Sequence, residues 1–339
     1  MQIVWMVLSA MLILTGLVAI HEYGHYLAAK KRGIRVSQFA IGMGPKLLKW
    51  QRGETEFSLR PLLFGGYVMF ADDTEDEPTP GGFRSAPVAS RAIVAAAGPI
   101  MNVLVAAVLA IIMVFSASEY HAVRVASVEP GSPAELAGVQ EGDILRTVNG
   151  VSFDFYAPAL QEYQVTPREQ TMALTATRDG EEYETEILFE PGDVDRLMGV
   201  TMEPAPHGVW ESITLALKWL GEQTTLIFDV LGDLFFHGSG VENMTGIVGT
   251  TVVVGSVVQY GNVGMILMLI SVISINLAIV NLLPIPALDG GKLLMYGIES
   301  VSKKSASARL EGALNFAGMA VIMAFAGYLV FQDIARLAG

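Results

Sequence analysis

His21, Glu22 and His25 are the residues of this chain best placed by type and spacing to do chemistry. On a helix, side chains four apart project from nearly the same face, so the two imidazoles would stand together with the carboxylate beside them. Two such nitrogens can ligate one divalent ion, and a glutamate between them can take a proton from water, which is the mechanical content of the H-E-x-x-H pattern. The trio follows residues 1–20, a stretch without Asp, Glu, Lys, Arg or His. Ionisable groups at the end of such a segment are expensive there and usually face a bundle interior for a functional reason. The bland alternative is a helix end that snorkels to the interface.

A metal site needs a third protein ligand. The chain has no cysteine, which excludes disulfides and thiolate ligands, so a metal must rest on nitrogen and oxygen. Asp289 is the best candidate, being the first charged residue after the long apolar stretch 244–288. Two nitrogens and a carboxylate with one position open make a catalytic rather than a closed zinc site. Zinc there would lower the pKa of water to about 7 and polarise a carbonyl, which is the chemistry of amide hydrolysis. Glu22 would act as general base and then as proton donor to the leaving amine.

These residues can meet only if the intervening elements return the chain to one depth. At 52% hydrophobic and 16% charged residues, with a positive mean hydropathy, the 339-residue chain reads as a membrane protein, not a soluble domain. Uncharged stretches at 92–118, 244–288 and 312–332 join the first one, each long enough for the roughly 20 residues that cross a bilayer. The first stretch has no basic residue ahead of it and no small-x-small cleavage pattern, so it reads as a retained span. Ten Lys and Arg residues between Lys30 and Arg91 contrast with the acidic segment 119–203, which places the former in the cytoplasm and the latter outside. Lys292, Lys303, Lys304 and Arg309 mark a second cytoplasmic loop. Counting gives four spans with both termini outside and the third crossing at 262–283, so that His21, His25 and Asp289 share the cytoplasmic end. The β-branched, glycine-punctuated 245–261 reads as a re-entrant or interfacial segment.

The expected organisation is a first half of the core at 1–118, an external β-rich domain at 119–205, amphipathic interfacial helices at 206–243 and a second half of the core at 244–339. The external domain carries strand-like alternation with turns at Pro130-Gly131, Asn149-Gly150 and Asp179-Gly180. In the next segment Glu211, Lys218, Glu222, Asp229 and Asp233 fall on one helical stripe, which suits a helix lying in the membrane surface or docked on the spans. The acidic run 71–80 reads as a solvated loop, and His121, His207 and His237 as surface residues.

"HEYGH" at 21–25, "AAAGPIMN" at 95–102, "GSPAELAGVQEGDIL" at 131–145 and "NLLPIPALDGG" at 281–291 occur in that order. With them the chain resembles the site-2 protease family of intramembrane zinc metalloproteases, and most closely its bacterial regulator-of-sigma-E branch. The resemblance implies one catalytic Zn2+ on His21, His25 and Asp289 with Glu22 as acid/base. It also implies that Asn281, Pro284 and Pro286 contact substrate. The stretch 56–70 is similar to the family's membrane-associated β-loop and is expected to form a hairpin turning at Gly65-Gly66, with Tyr67 beside the turn. Its edge would hold an unwound substrate segment by main-chain hydrogen bonds.

The external domain resembles a single PDZ domain, which implies binding of a peptide or chain terminus. The fold class expected is thus a multi-span α-helical membrane protein with four transmembrane helices, a membrane-associated β-hairpin and one inserted PDZ-like β-rich domain. Its implied partners are the lipid bilayer and single-span membrane proteins such as an anti-sigma factor or a remnant signal peptide, cut in stress-response signalling at the bacterial inner membrane, and not nucleic acid. Two rival readings are a PDZ-bearing membrane adaptor with a structural or inactive metal site, and a metal transporter, which would call for more ionisable residues along spans two and four.

Overall fold

In an apolar surrounding only a helix satisfies its own backbone, so the uncharged stretches should be helical. The computed structural model describes residues 2–71, 79–155, 171–189, 198–241, 244–303 and 307–338. Its helices are α1 (Gln2–Lys31), α2 (Val88–Ser116), α3 (Pro133–Leu136), α4 (Val209–Gly232), α5 (Ile247–Tyr260), α6 (Val263–Leu282), α7 (Asp289–Ser302) and α8 (Ala308–Ala338). Four of them, α1, α2, α6 and α8, are long and apolar enough to cross a membrane. They coincide with the four expected spans. The chain divides into two compact units, one of residues 1–107 and 221–339 and the other of residues 108–220.

In the first unit, α1 runs past its apolar stretch and is stopped by local chemistry. Gly33 adopts a left-handed φ of 71°. The Ile34 N–H then donates to the Ala29 carbonyl at 2.9 Å and the Gly33 N–H to Lys30 at 3.2 Å, so that carbonyls of the last turn are satisfied in a Schellman arrangement. Ile34 is buried with Ala29, Val36 and Val94, which fixes the exit direction.

The segment 245–261, expected to be re-entrant or interfacial, is mostly the helix α5. Its 14 residues rise only about 21 Å. Gly255 explains how: a Cβ there would stand 2.9 Å from the Met6 Cα, so the bare glycine lets α5 lie close against α1. Asp333 of α8 accepts the N–H groups of Gly246 (3.1 Å) and Gly249 (2.8 Å), capping the start of α5 from another element. Within the connection that Lys292 and Lys303 were expected to mark, residues Asp289–Ser302 form α7. Lys304 lies outside the described residues, as do residues 72–78 of the acidic run.

A four-stranded sheet follows α1: β1 (Val36–Met43), β2 (Leu48–Arg52), β3 (Thr55–Leu59) and β4 (Leu62–Phe70), in the order β2-β3-β1-β4. This corrects the hairpin expected over 56–70. β3 runs parallel to β1 and β4 antiparallel to it, so the two strands flank β1 and never pair with each other. Gly65 and Gly66 lie within β4, not at a turn. The link at Arg60 and Pro61 crosses the end of β1 at Gly42, whose φ is 82° and where a Cβ would meet the Leu62 and Arg60 carbonyls at 2.7 and 2.9 Å. Tyr26, one residue past His25, packs its ring on Phe39 of β1 and Phe57 of β3 at centroid distances of 5.8 and 5.6 Å. That contact docks the sheet on the part of α1 that carries the histidines.

The second unit is built on a six-stranded sheet of β5 (Ala122–Val128), β6 (Ile144–Val148), β7 (Val151–Ser152), β8 (Thr171–Arg178), β9 (Glu181–Leu188) and β10 (Val200–Ala205), ordered β10-β5-β6-β8-β9 with β7 on β6. Val123, Leu145, Phe153, Leu174 and Ile187 fill its core. The string "GSPAELAG" is a helix start and stop: Ser132 accepts the Glu135 N–H, Pro133 opens α3 and Gly138 closes it at a φ of 85°. In "EGD", Asp143 is fully buried and accepts from the Gln140 N–H (2.7 Å), Arg178 (2.8 Å) and the Tyr183 hydroxyl (2.6 Å). His207, expected on the surface, is buried: its Nε2–H donates to the Asp154 carbonyl at 3.0 Å, and Glu211 of the following helix turn stands 3.4 Å from Nδ1. Residues 156–170 and 190–197 of the expected external domain lie outside the described residues.

Burial pushes the Asp143 carboxyl up, but the hydrogen bonds from Arg178 and Tyr183 outweigh it and hold the group below its ordinary value. Its contribution to folding is therefore complete above the unfolded carboxyl pKa of about 4 and is lost as pH falls through the lower folded-state value. Asp143→Ala is expected to destabilise this unit by about 2–3 kcal/mol, because the hydrogen bonds that the buried carboxylate accepts from Arg178, Tyr183 and the Gln140 N–H are lost together. Amide hydrogen exchange of β8 and β9 would report it. Acid pH should weaken their protection in wild type and leave Asp143→Asn unaffected.

Candidate metal centre and active site

Three helices converge on the histidines because small residues let their backbones approach. A Cβ on Gly24 of α1 would run into the Ala97 carbonyl of α2, and one on Gly98 of α2 into the rings of both His25 and His21. With glycine at both positions, α2 lies directly against the imidazoles. The His25 Nδ1–H donates to the Val94 carbonyl at 2.7 Å. Pro99, which has no N–H, leaves one position of the α2 ladder without a donor. On the other side, buried Ser271 and Ser274 of α6 donate to the Ala106 and Asn102 carbonyls at 2.8 and 2.9 Å, joining α6 to α2.

The junction from α6 to α7 then delivers Asp289 as the first residue of α7. Gly290 and Gly291 are required here: Cβ atoms would overlap the Leu282 and Ile285 carbonyls, so only glycine lets α7 start hard against the end of α6. Arg91 of α2 holds the far part of α7, pairing with Glu299 at 2.6 Å and covering the Tyr296 ring.

His21, His25 and Asp289 are all buried, and among the described residues they form the one cluster whose side chains could jointly hold a metal ion. The His21 Nε2, His25 Nε2 and Asp289 Oδ2 atoms make a triangle with each side 3.1 Å. Donors 2.0–2.1 Å from a tetrahedral zinc stand about 3.3 Å apart, so the three fit one face of such a site with the fourth corner open. The tautomers fit as well. His25 keeps its proton on Nδ1, bonded to Val94, and its Nε2 lone pair is free. His21 Nδ1 faces the Asn102 side-chain amide at 3.2 Å. With the Asn102 Oδ1 turned to the ring it accepts the Nδ1–H, which frees Nε2 and gives that buried oxygen the partner it otherwise lacks. Lys292 Nζ stands 3.4 Å from Asp289 Oδ1, leaving Oδ2 to the histidines.

Glu22 opens with these donors on a cavity of about 520 Å3, also lined by Asn281 and by Val68 and Phe70 of β4. The Asn281 amide N–H donates to the Leu277 carbonyl at 2.9 Å. Pro284 and Pro286 lie in the turn that precedes Asp289. Gly66 brings the β4 backbone beside the site, since a Cβ on it would be 3.5 Å from the Glu22 Cγ. The Tyr67 hydroxyl instead bonds Arg60 and Gln38, and Gly65 faces Met43. Gly98, Asn102 and the Val94 carbonyl escaped sequence reasoning. The string at 95–102 contains two of them, but nothing in its composition says which residues meet the histidines.

Four membrane-length helices and a buried pair of histidines with a carboxylate and a neighbouring glutamate define a membrane-embedded metallohydrolase. The chain belongs to Peptidase family M50, the site-2 protease family, whose model matches residues 9–325. It is similar to the zinc metalloprotease RasP of Shouchella clausii, 28% identical over 97% of this chain and 99% of that protein. The metalloprotease MmpA of Caulobacter vibrioides is 30% identical, covering 98% of this chain and 96% of its own length. The chloroplastic membrane metalloprotease ARASP of Arabidopsis thaliana is 28% identical over 98% and 79%. The chain is accordingly a zinc metalloprotease integral to a membrane.

Because the Gly98 site abuts both rings, Gly98→Ala should push the imidazoles apart and lower zinc affinity by roughly ten- to a hundredfold. Gly297→Ala in α7, with nothing within 4 Å of the new Cβ, is the control and should bind zinc as wild type does. Zinc competition with a chromophoric chelator measures both.

Proposed function

We propose that this protein is an intramembrane endopeptidase that hydrolyses a peptide bond within a transmembrane segment, with His21, His25 and Asp289 as the zinc ligands and Glu22 as the catalytic acid/base. The observation that carries the reading is the 3.1 Å triangle of donor atoms opening on the same cavity as Glu22. Bound there, zinc supplies an acidified water and a Lewis acid for the scissile carbonyl. Glu22 takes the proton of the attacking water and returns it to the leaving amine. Asn281 and the turn of Pro284 and Pro286 border the path by which a substrate backbone would enter.

A helical substrate hides its peptide bonds, so it must be captured extended. β4 is an edge strand whose Val68 and Phe70 line the cavity and whose Gly66 adjoins Glu22, which supports strand addition along Gly65, Gly66 and Tyr67 as the way an unwound segment is presented. Lys30, Lys31, Arg32 and Arg35 at and beyond the end of α1 favour a site toward the cytoplasm of a bacterial inner membrane, with residues 119–205 outside as a PDZ domain that binds a peptide or chain end. The substrates that fit are single-span proteins such as an anti-sigma factor, or remnant signal peptides, already trimmed of their external part.

Zinc content and cleavage of a tagged transmembrane substrate, measured together, test this. Glu22→Gln should retain zinc and lose cleavage by at least a thousandfold, and Asp289→Asn should lose both. Cleavage by Glu22→Gln at the wild-type rate would refute the acid/base role.

A further inference from the structure

The five residues before Asp289 contain a strained turn. The Leu288 N–H donates to the Ile285 carbonyl at 3.1 Å, with Pro286 and Ala287 between them and Ala287 at a φ of 78°. Proline at the second position and a positive φ at the third make this a type II turn, which ordinarily takes glycine where Ala287 stands. The other described non-glycine residues with positive φ are Asn149 and Asp179, at exposed hairpin-type turns, and Lys303, at a helix end. Ala287 has none of those excuses. A type I turn needs only the central peptide to flip by about 180° and would suit alanine better.

The central peptide is held in place by α8. The Ala287 N–H donates to Asn315 Oδ1 at 3.1 Å. On the same face, three residues on, Gly318 receives the other end of that peptide, since a Cβ there would collide with the Pro286 carbonyl oxygen and stand 2.9 Å from its Cβ. Flipping the peptide would turn its carbonyl toward the Asn315 oxygen. Asp289 lies two residues beyond Ala287, so the turn type sets where its carboxylate falls.

We infer that Asn315 is a positioning residue for the metal site: by accepting the Ala287 N–H it holds the Ile285–Leu288 turn in its strained type II form, and α8 thereby completes the ligand triangle without contributing a ligand. This rests on the reading of Asp289 as a zinc ligand, so full-length Asp289→Ala, which should bind zinc at least a hundredfold more weakly, checks that reading separately.

The experiment is a zinc titration of the full chain against a competing chelator, for wild type, Asn315→Ala, Ala287→Gly and the double variant, alongside thermal unfolding of each. Glycine adopts the same φ without strain, so it should hold the type II turn unaided. Asn315→Ala should weaken zinc binding by about tenfold, Ala287→Gly should stay within about threefold of wild type, and the double variant should return to that range. A merely packed Asn315 would not be rescued by glycine at another residue. Wild-type affinity in Asn315→Ala overturns the inference, and so does a double variant as weak as Asn315→Ala. If Asn315→Ala does not fold, recovery of folding and zinc binding in the double variant supports the inference, and its failure there overturns it by making Asn315 a packing residue of α8. Loss of zinc binding in none of these variants, Asp289→Ala included, would instead remove the ligand reading on which the inference rests.

Discussion

Two imidazole nitrogens and a carboxylate oxygen stand 3.1 Å apart inside a bundle of apolar helices, and the rest of the first unit is arranged around that requirement. Each donor loses its water on burial, so each needs replacement partners, and the groups that supply them must come within hydrogen-bond distance. The helices can meet that demand only by approaching more closely than ordinary side chains allow. Gly24, Gly98, Gly290 and Gly291 are the positions where this happens, each placed against a carbonyl or ring that a Cβ would strike. Their conformational freedom is incidental; the absence of a side chain is what the site uses.

α2 occupies the centre of this arrangement although it carries no metal-ligating residue. Its Val94 carbonyl holds His25, its Asn102 side chain faces His21, and its Ala106 and Asn102 carbonyls receive the serines of α6. In a surrounding where apolar contact with lipid competes equally with apolar contact between helices, such hydrogen bonds and close approaches supply the specificity of packing.

The sheet beside the helices solves a different problem. β1 sits between β3 and β4, so β4 is left at the sheet edge with Val68 and Phe70 lining the cavity, while edge-to-face contact of Tyr26 with Phe39 and Phe57 fixes the sheet to α1 one residue from His25. Interposing β1 leaves a strand edge and Glu22 on neighbouring elements.

Much of this was legible in the residues themselves. The spacing of His21, Glu22 and His25 follows from the pitch of one helix, and the four membrane-length helices follow from the lack of charge, because both are properties of a segment and its immediate neighbours. Asp289 could be placed by counting crossings, since the bilayer constrains depth. The helical state of α5 was not legible locally, because β-branched residues and glycines disfavour isolated helices and its support comes from Asp333, 84 residues beyond Gly249 in the chain. The hairpin over 56–70 was misread because strand pairing is decided by which strand lies between, and neither β3 nor β4 carries a mark of β1. The buried state of His207 and the roles of Gly98, Asn102 and Asn315 were likewise outside the reach of any window. Sequence alone thus determined which groups could do the chemistry and which helix ends would have to bring them together. Tertiary structure decided which backbones pass close enough to orient them, because that depends on contacts between segments whose separation along the chain bears no relation to their distance in space.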